Sequence, residues 1–248
     1  MCDVTALMAV VAQPTVAAPN IRFTGFEFGW VDVKLGGTPV PVVPSDTAGA
    51  FNTQVSNASG VYGATFESFC MDVWQYLSFN SNGYSLGAGK TYEYKPSLLN
   101  TVTLGGTITQ TTINNLSSLY NKAHTTGTAL NANSVFSKPI GSAALQLAIW
   151  EVIYDTGTPG GYNLSSGDFY SIGNVSADAL ATVNQANSWL SNLAAYSPNK
   201  YTVAGYLSGS NQDVIVFTAV PEPGAYALML AGLGLLGFVG RRRKQQAA

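Results

Sequence analysis

Cys70 and Gln146 are the two side chains of this sequence whose type and setting most invite a chemical explanation. The chain has two cysteines, and because Cys2 lies in a predicted leader, Cys70 is the only thiol of the remaining body. A lone cysteine cannot form an internal disulfide, so Cys70 is predicted to be a free thiol. Gln146 lies within residues 143–153, which are apolar nearly all round and therefore predicted to be buried. A buried amide without partners costs about 1–3 kcal/mol, so we expect Gln146 either to bond backbone groups or to be consumed chemically.

Hydrophobic periodicity predicts the elements that position these two residues. Residues 61–77 are rich in aromatic and β-branched side chains and predict a strand or a strand pair that carries Cys70. Residues 142–154 have apolar side chains at three- and four-residue spacing and predict a helix that carries Gln146, with Ser142 as its N-cap.

Further predicted elements surround this pair. Apolar periodicity predicts two more helices, and alternation of apolar with polar residues predicts strands on either side of the helical segment. The helices cover residues 112–123 and 176–195, the strands cover residues 21–34 and 90–94, and a hairpin with a turn at 208–211 covers residues 201–220. The predicted fold class is therefore α+β, with β-sandwich- or barrel-like strands flanking a helical middle segment.

The segments around Cys70 and Gln146 resemble two motifs of the thioester domains of bacterial surface adhesins. Residues 146–150 (QLAIW) match the motif Gln-x-Ala-Ile-Trp, and residues 69–72 (FCMD) are similar to the cysteine motif, an aromatic residue, Cys, a hydrophobic residue and Asp. The resemblance implies an internal thioester, with Cys70 supplying the sulfur, Gln146 supplying the acyl carbon, and ammonia lost. A surface or matrix amine would then attack this bond and become covalently attached. The motif residues that support the thioester in this comparison are Asp72, Ala148 and Trp150.

Two departures from these motifs leave an alternative open. Val73 stands where the adhesins commonly have Pro, and Leu145 stands where Thr often precedes the Gln. In the alternative, the protein is a structural or carbohydrate-binding matrix module with the same fold and no thioester, and Cys70 is a small buried hydrophobe.

An enzymatic role finds little support in the residue types. Asp72 and Glu151 could form a carboxylate pair for glycoside hydrolysis, but both are predicted to be solvated or hydrogen-bonded flank residues. His124, the only histidine, is predicted to lie at a helix C-terminus rather than to act as a base. Ligands for zinc are too sparse. We therefore predict no enzymatic activity, no cofactor and no metal site.

The C-terminal segment carries the most specific pattern of the sequence. Pro221, Glu222 and Pro223 form a rigid extended spacer, residues 224–240 contain no charge, and a basic cluster follows at once. Seventeen helical residues reach roughly 25 Å, which predicts a membrane helix with the basic cluster on the cytoplasmic side. The cluster consists of Arg241, Arg242, Arg243 and Lys244.

This arrangement resembles the PEP-CTERM sorting signal of Gram-negative bacteria. The resemblance implies recognition by an exosortase-type membrane peptidase while the chain is anchored transiently in the inner membrane. Removal of the tail would then release the body to the cell surface or the extracellular matrix, where an extracellular polymer or a surface amine is the expected target.

Charge and the N-terminal segment complete the predicted organisation. Only 10% of residues are charged, and residues 20–223 carry seven basic and twelve acidic side chains, which leaves no basic patch for nucleic acid. A short apolar run precedes small residues at 15–18, but no Lys or Arg precedes that run, so the signal peptide is expected to be truncated or atypical. The predicted domains are a signal peptide over residues 1–19, an extracellular domain over residues 20–219 and a sorting signal over residues 220–248.

Overall fold

Most of the described strands join one antiparallel sheet. The structure is a computed structural model. It describes residues 20–30, 34–35, 38–39, 47–57, 59–73, 91–93, 95–97, 108–126, 139–155, 161–171, 176–208, 212–221 and 228–236. The strands are β1 (Asn20–Trp30), β2 (Lys34–Leu35), β3 (Thr38–Pro39), β4 (Thr47–Val55), β5 (Phe66–Cys70), β6 (Thr91–Glu93), β7 (Lys95–Ser97), β8 (Phe169–Tyr170), β9 (Tyr201–Leu207) and β10 (Val214–Ala219).

The two edge strands of this sheet are neighbours in the chain. The seven strands follow the order β6-β1-β4-β5-β10-β9-β7, and the described pairings among them are antiparallel. β6 and β7 lie at opposite edges of this order, yet Tyr94 alone separates them in the chain. Because consecutive Cα atoms are about 3.8 Å apart, the end of β6 and the start of β7 lie within about 8 Å of each other. A smaller sheet of order β3-β2-β8 accompanies the seven-stranded sheet.

Three helices supply the rest of the core. They are α1 (Gln110–Thr126), α2 (Pro139–Tyr154) and α3 (Ala177–Leu190). The side chains of residues 141–153 are all buried, because α2 packs against β1 and β4 on the sheet and against α1, α3 and β8 around it. A helix covered on all sides has to be apolar on all sides, which is the pattern the sequence showed. Strands before α1 and after α3 confirm the α+β class.

Several predicted boundaries change in the structure. Ser142 is not the N-cap of α2, since the helix begins at Pro139. The favourable place of proline in a first helical turn explains the earlier start. The prediction of Ser176 as the start of α3 is confirmed, because its hydroxyl accepts the Ala179 N–H as an N-cap; the helix ends at Leu190 rather than at residue 195.

The strand predictions are confirmed in part. β9 and β10 form the predicted hairpin, while residues 209–211 of its turn lie outside the described residues. β5 occupies part of the predicted strand over 61–77. Its neighbour β4 and the short strands β2, β3, β7 and β8 were not predicted.

The predicted membrane helix lies only partly within the described residues, and the structure does not support it. Residues 228–236 are helical, and they form part of the predicted span 224–240. Within the described parts of the chain, no helix has both the length and the apolar character that a membrane crossing requires. The leader (residues 1–19) and the basic cluster (residues 241–244) lie outside the described residues.

Candidate functional site

Cys70 and Gln146 meet in the interior, where the end of β5 contacts α2. Cys70 is the last residue of β5 and is 6% exposed, and Gln146 in α2 is fully buried. β5 lies between β4 and β10, and Cys70 pairs in register with Val214 of β10. The sequence motifs, 76 residues apart, are thus brought together by the fold.

The side-chain amide of Gln146 completes the backbone hydrogen bonding of Cys70. The Cys70 N–H donates to Gln146 Oε1 over 2.8 Å, and Gln146 Nε2 donates to the Cys70 carbonyl over 2.9 Å. This pairing is available because the described ladder between β4 and β5 ends at the pair Phe51 and Ser68, two residues before Cys70. The buried amide therefore has both a donor and an acceptor partner, and it is held against the residue that carries the thiol.

Ser142 attaches the same helix to the neighbouring strand. It lies one turn before Gln146, on the same face of α2, and its Oγ accepts the backbone N–H of Ala50 in β4 over 2.6 Å. Two of the few polar side chains of this helix thus satisfy backbone groups of two adjacent strands. This arrangement fixes the rotation of α2 about its axis and so fixes where the Gln146 amide points.

A second group of hydrogen bonds fixes the segment that follows Cys70. The backbone N–H of Asp213 donates to Asp72 Oδ2 over 2.9 Å, and the Asp213 carbonyl accepts the Met71 N–H over 2.8 Å. Gln212 Nε2 donates to the Asp72 carbonyl over 2.8 Å. Sequence reasoning missed Gln212 and Asp213, whose only signal is that two polar residues directly precede the apolar run of β10. Their contact with the cysteine motif depends on the pairing of β5 with β10.

Burial and a neighbouring negative charge keep the Cys70 thiol protonated. Burial, with the negative charge of Asp72 as a smaller cause, raises the pKa of the Cys70 thiol well above its usual value. Burial also raises the pKa of Asp213 to about 6, with the charge of Asp72 adding to the rise and the Ser208 N–H opposing it. Cys70 is therefore a neutral thiol at pH 7, and it needs a proton acceptor to act as a nucleophile.

The supporting motif residues are buried as well. Ala148 is fully buried, and Trp150 is 1% exposed with its ring centroid 6.0 Å from that of Phe169. The Trp150 Nε1 has no hydrogen-bond partner among the described residues. Asp72 lies beside the pair in the hydrogen-bonded group just described. The structure thus brings the five predicted residues of the thioester motifs into one buried region.

The two acids considered for hydrolysis are each engaged with a backbone N–H group on a different segment. Asp72 accepts from Asp213, whereas Glu151 Oε1 accepts the Asn163 N–H over 2.8 Å. His124 lies in the last turn of α1 as predicted, with its ring 4.3 Å from that of Tyr120. Burial lowers the pKa of His124 to about 4, which leaves the imidazole neutral at pH 7.

Only the beginning of the predicted sorting motif is described. Pro221 is exposed and follows β10 after a single residue, whereas Glu222, Pro223, Arg241, Arg242 and Arg243 lie outside the described residues. Among the residues that are described, no group of three or more His, Cys, Asp or Glu side chains could hold a metal ion.

Comparison with known proteins identifies the C-terminal segment. Residues 219–244 match the PEP-CTERM protein-sorting motif. The chain is therefore an exported protein sorted through its C-terminal segment, and the motif implies processing by exosortase, a membrane enzyme. No curated protein matches the chain significantly.

One solved structure is similar over most of the chain. It is the N-terminal domain of the Streptococcus pyogenes pilus tip adhesin Cpa, with a TM-score of 0.42 and 14% sequence identity. The similarity covers 83% of this chain and 100% of that domain. A similarity of this size supports no argument about function.

Proposed function

We propose that this exported surface protein forms an internal thioester between Cys70 and Gln146 and uses it to attach covalently, once, to an amine. The observation that carries the proposal is the double hydrogen bond between the Gln146 amide and the backbone of Cys70. It holds the acyl carbon next to the residue that bears the thiol, in a region closed to bulk water. The residue types of the two motifs add independent support.

The bond-forming step balances without a co-reactant. The Cys70 sulfur attacks the side-chain carbonyl carbon of Gln146, the C–S bond forms, and the bond from that carbon to Nε2 breaks. The thiol proton leaves with the amide nitrogen as ammonia. The Cys70 N–H already donates to Oε1, so it is placed to stabilise the negative charge that develops on this oxygen during the attack.

In the attachment step the Cys70 sulfur is the leaving group instead of the attacking group. An amine attacks the acyl carbon, the new C–N bond forms, the C–S bond breaks, and the proton of the amine returns to the sulfur. The product is an amide between the target and residue 146, with a free Cys70 thiol. Each molecule therefore reacts a single time, as an adhesive or cross-linking protein does, and does not turn over as an enzyme does.

The sorting route is part of the proposal. The chain would span the inner membrane through residues 224–240 with its C-terminus in the cytoplasm of a Gram-negative bacterium. An exosortase-type peptidase would then remove the tail and release the body to the cell surface or matrix. There an extracellular polymer or protein that carries amines would be the target.

Intact mass of the body, residues 20–219, before and after methylamine tests the thioester. The proposal expects a mass one ammonia below the calculated value, and a rise by one methylamine after treatment. Cys70→Ala and Gln146→Ala should each show the calculated mass of the variant and no reaction with methylamine. The calculated mass in the untreated protein, with a free thiol on denaturation, would refute the bond.

The second candidate is a structural or carbohydrate-binding matrix module without the thioester. It is favoured by the same hydrogen bonds, because the Gln146 amide already has both partners, and by the burial that keeps Cys70 neutral. It predicts one titratable thiol in the denatured protein and no mass change with methylamine.

A further inference from the structure

The sorting motif starts inside the folded body. Its match begins at Ala219, which is the last residue of β10 and pairs with Tyr201 of β9. The next residue, Val220, still donates its N–H to the Lys200 carbonyl over 2.9 Å. Pro221 follows immediately, so no flexible spacer separates the seven-stranded sheet from the Pro-Glu-Pro sequence.

This continuity limits how far the sorting peptidase can stay from the body. Residues 221–223, fully extended, reach at most about 10 Å. A body of about 200 residues has a radius of gyration of roughly 16 Å. An enzyme that encloses this tripeptide must therefore touch the protein surface around the point where the chain leaves β10.

That surface is concave, and its lining combines apolar and polar groups. Two clefts of about 430 and 460 Å³ flank the chain exit, and they share Asn199, Tyr201 and Val220 among their lining residues. Gln110 and Asn114 of α1 add amide groups to the second cleft, and among the described residues Lys200 is the one charged residue that lines either cleft. Val220 is 40% exposed, which adds an apolar side chain at the centre. We call Gln110, Asn114, Asn199, Lys200 and Val220 the exit surface.

We propose that the exit surface is a docking site for the sorting peptidase, so that recognition extends from the tail into the folded body. The peptidase would offer hydrogen-bonding groups to the amides, an apolar contact to Val220 and negative charge opposite Lys200. This inference rests on the sorting motif and not on the thioester.

The position of the exit surface keeps docking away from Cys70. Cys70 pairs with Val214 at the start of β10, and Ala219 lies five residues further along the strand. At about 3.3 Å per residue the two ends are roughly 17 Å apart. The peptidase can therefore hold the body at one end of β10 while the other end remains as it is in the free protein.

Tail removal from the full-length chain, in a bacterial host that carries an exosortase-type peptidase, tests the proposal. Asn199→Arg and Lys200→Glu place bulk or the opposite charge on the exit surface, and we expect each to slow tail removal at least fivefold. Lys200→Arg keeps the charge and should restore the native rate. Ser165→Arg, at an exposed position between α2 and β8, is a matched surface control and should be processed like the native chain.

A ten-residue Gly-Ser spacer between Val220 and Pro221 tests whether docking on the exit surface aids tail removal, or whether the exit surface is merely close to the cleaved segment. If docking helps recognition, the spacer should lower the rate of tail removal. In chains that carry the spacer, Lys200→Glu should then have the same rate of tail removal as the native sequence. Native processing of both exit-surface variants, or faster processing with the spacer, would overturn the proposal. The proposal would also be wrong if the exit-surface variants lost binding to anionic vesicles but kept the native processing rate. The exit surface would then contact lipid. Circular dichroism of each purified variant confirms that the body is folded.

Discussion

Glu151 gives the body an unusual dependence of stability on pH. Its side chain is fully buried, Oε1 accepts the Asn163 N–H, and Oε2 has no hydrogen-bond partner among the described residues. Burial raises its pKa from 4.5 to about 8, with the Asn163 N–H opposing the rise and the charge of Asp155 adding to it. Between these two pH values the folded protein retains a proton that the unfolded chain has released.

The sign of the effect follows from the raised pKa. A group that binds its proton more tightly in the folded state contributes full stability below its unfolded pKa and loses that contribution as pH rises to the folded pKa. Asp213 acts in the same direction but only up to about pH 6. His124, with its pKa lowered to about 4, acts in the opposite direction up to its ordinary value of 6.5.

Between pH 6.5 and 8, Glu151 is therefore the one of these three groups that makes the free energy of unfolding depend on pH. At about 1.4 kcal/mol per pH unit, the free energy of unfolding should fall by about 2 kcal/mol across this window. Glu151→Gln keeps the acceptor for the Asn163 N–H but cannot ionise, so its stability should be flat there and should exceed that of the native protein at pH 8.

Urea denaturation of residues 20–219 at pH 6.5 and 8 measures this difference. Asp178→Asn, which removes an exposed carboxylate from the first turn of α3, is the control and should keep the native slope. If Glu151→Gln loses as much stability as the native protein over this window, the reasoning from burial is wrong.

Two further predictions concern packing around the same helix. In a Cys70→Ala background, which removes any thioester, Gln146→Leu leaves the buried N–H and C=O of residue 70 without partners and should lower the free energy of unfolding by about 2–5 kcal/mol in urea. Gly167→Ala should destabilise by more than about 3 kcal/mol, since φ is +119° and a Cβ would lie 1.6 Å from Asp155 Oδ2. Gly161→Ala, with φ of +87° and nothing within 4 Å, should cost only about 1–2 kcal/mol in the same thermal or urea assay, and equal losses would contradict the clash.

Hydrophobic patterning predicted the helices better than the strands. The apolar run in residues 143–153 predicts a helix that is buried on all sides, and α2 is such a helix. β4 was missed because its sequence, TAGAFNTQV, does not alternate between apolar and polar residues. Residues 48–51 are all buried, and Thr53 is buried as well, with its hydroxyl 2.6 Å from that of Ser68 in a hydrogen bond. A strand that buries consecutive small and apolar residues and then a polar one leaves no period-two signal.

The candidate site was predictable in its residues but not in its geometry. The motif resemblance paired Cys70 with Gln146 across 76 positions, whereas nothing in the sequence shows that the amide bonds the backbone of Cys70. Ser142 was wrongly predicted to be a helix cap because Ser is typical of that position. Its partner is the N–H of Ala50 in another element, and such a contact follows from tertiary packing alone.

The hydrogen bonds of Gln146 bear directly on the energetics of the proposed chemistry. Thioester formation keeps Oε1, and with it the Cys70 N–H bond, but removes Nε2 and leaves the buried Cys70 carbonyl without that donor. An unsatisfied buried acceptor costs about 1–3 kcal/mol, so the folded thioester form would lose this stabilisation relative to its amide precursor. Attack by a primary amine creates a new amide N–H at the position of Nε2, which can donate to the same carbonyl. The hydrogen bond that is lost with ammonia would thus be regained on attachment, and this favours the amide product over the thioester.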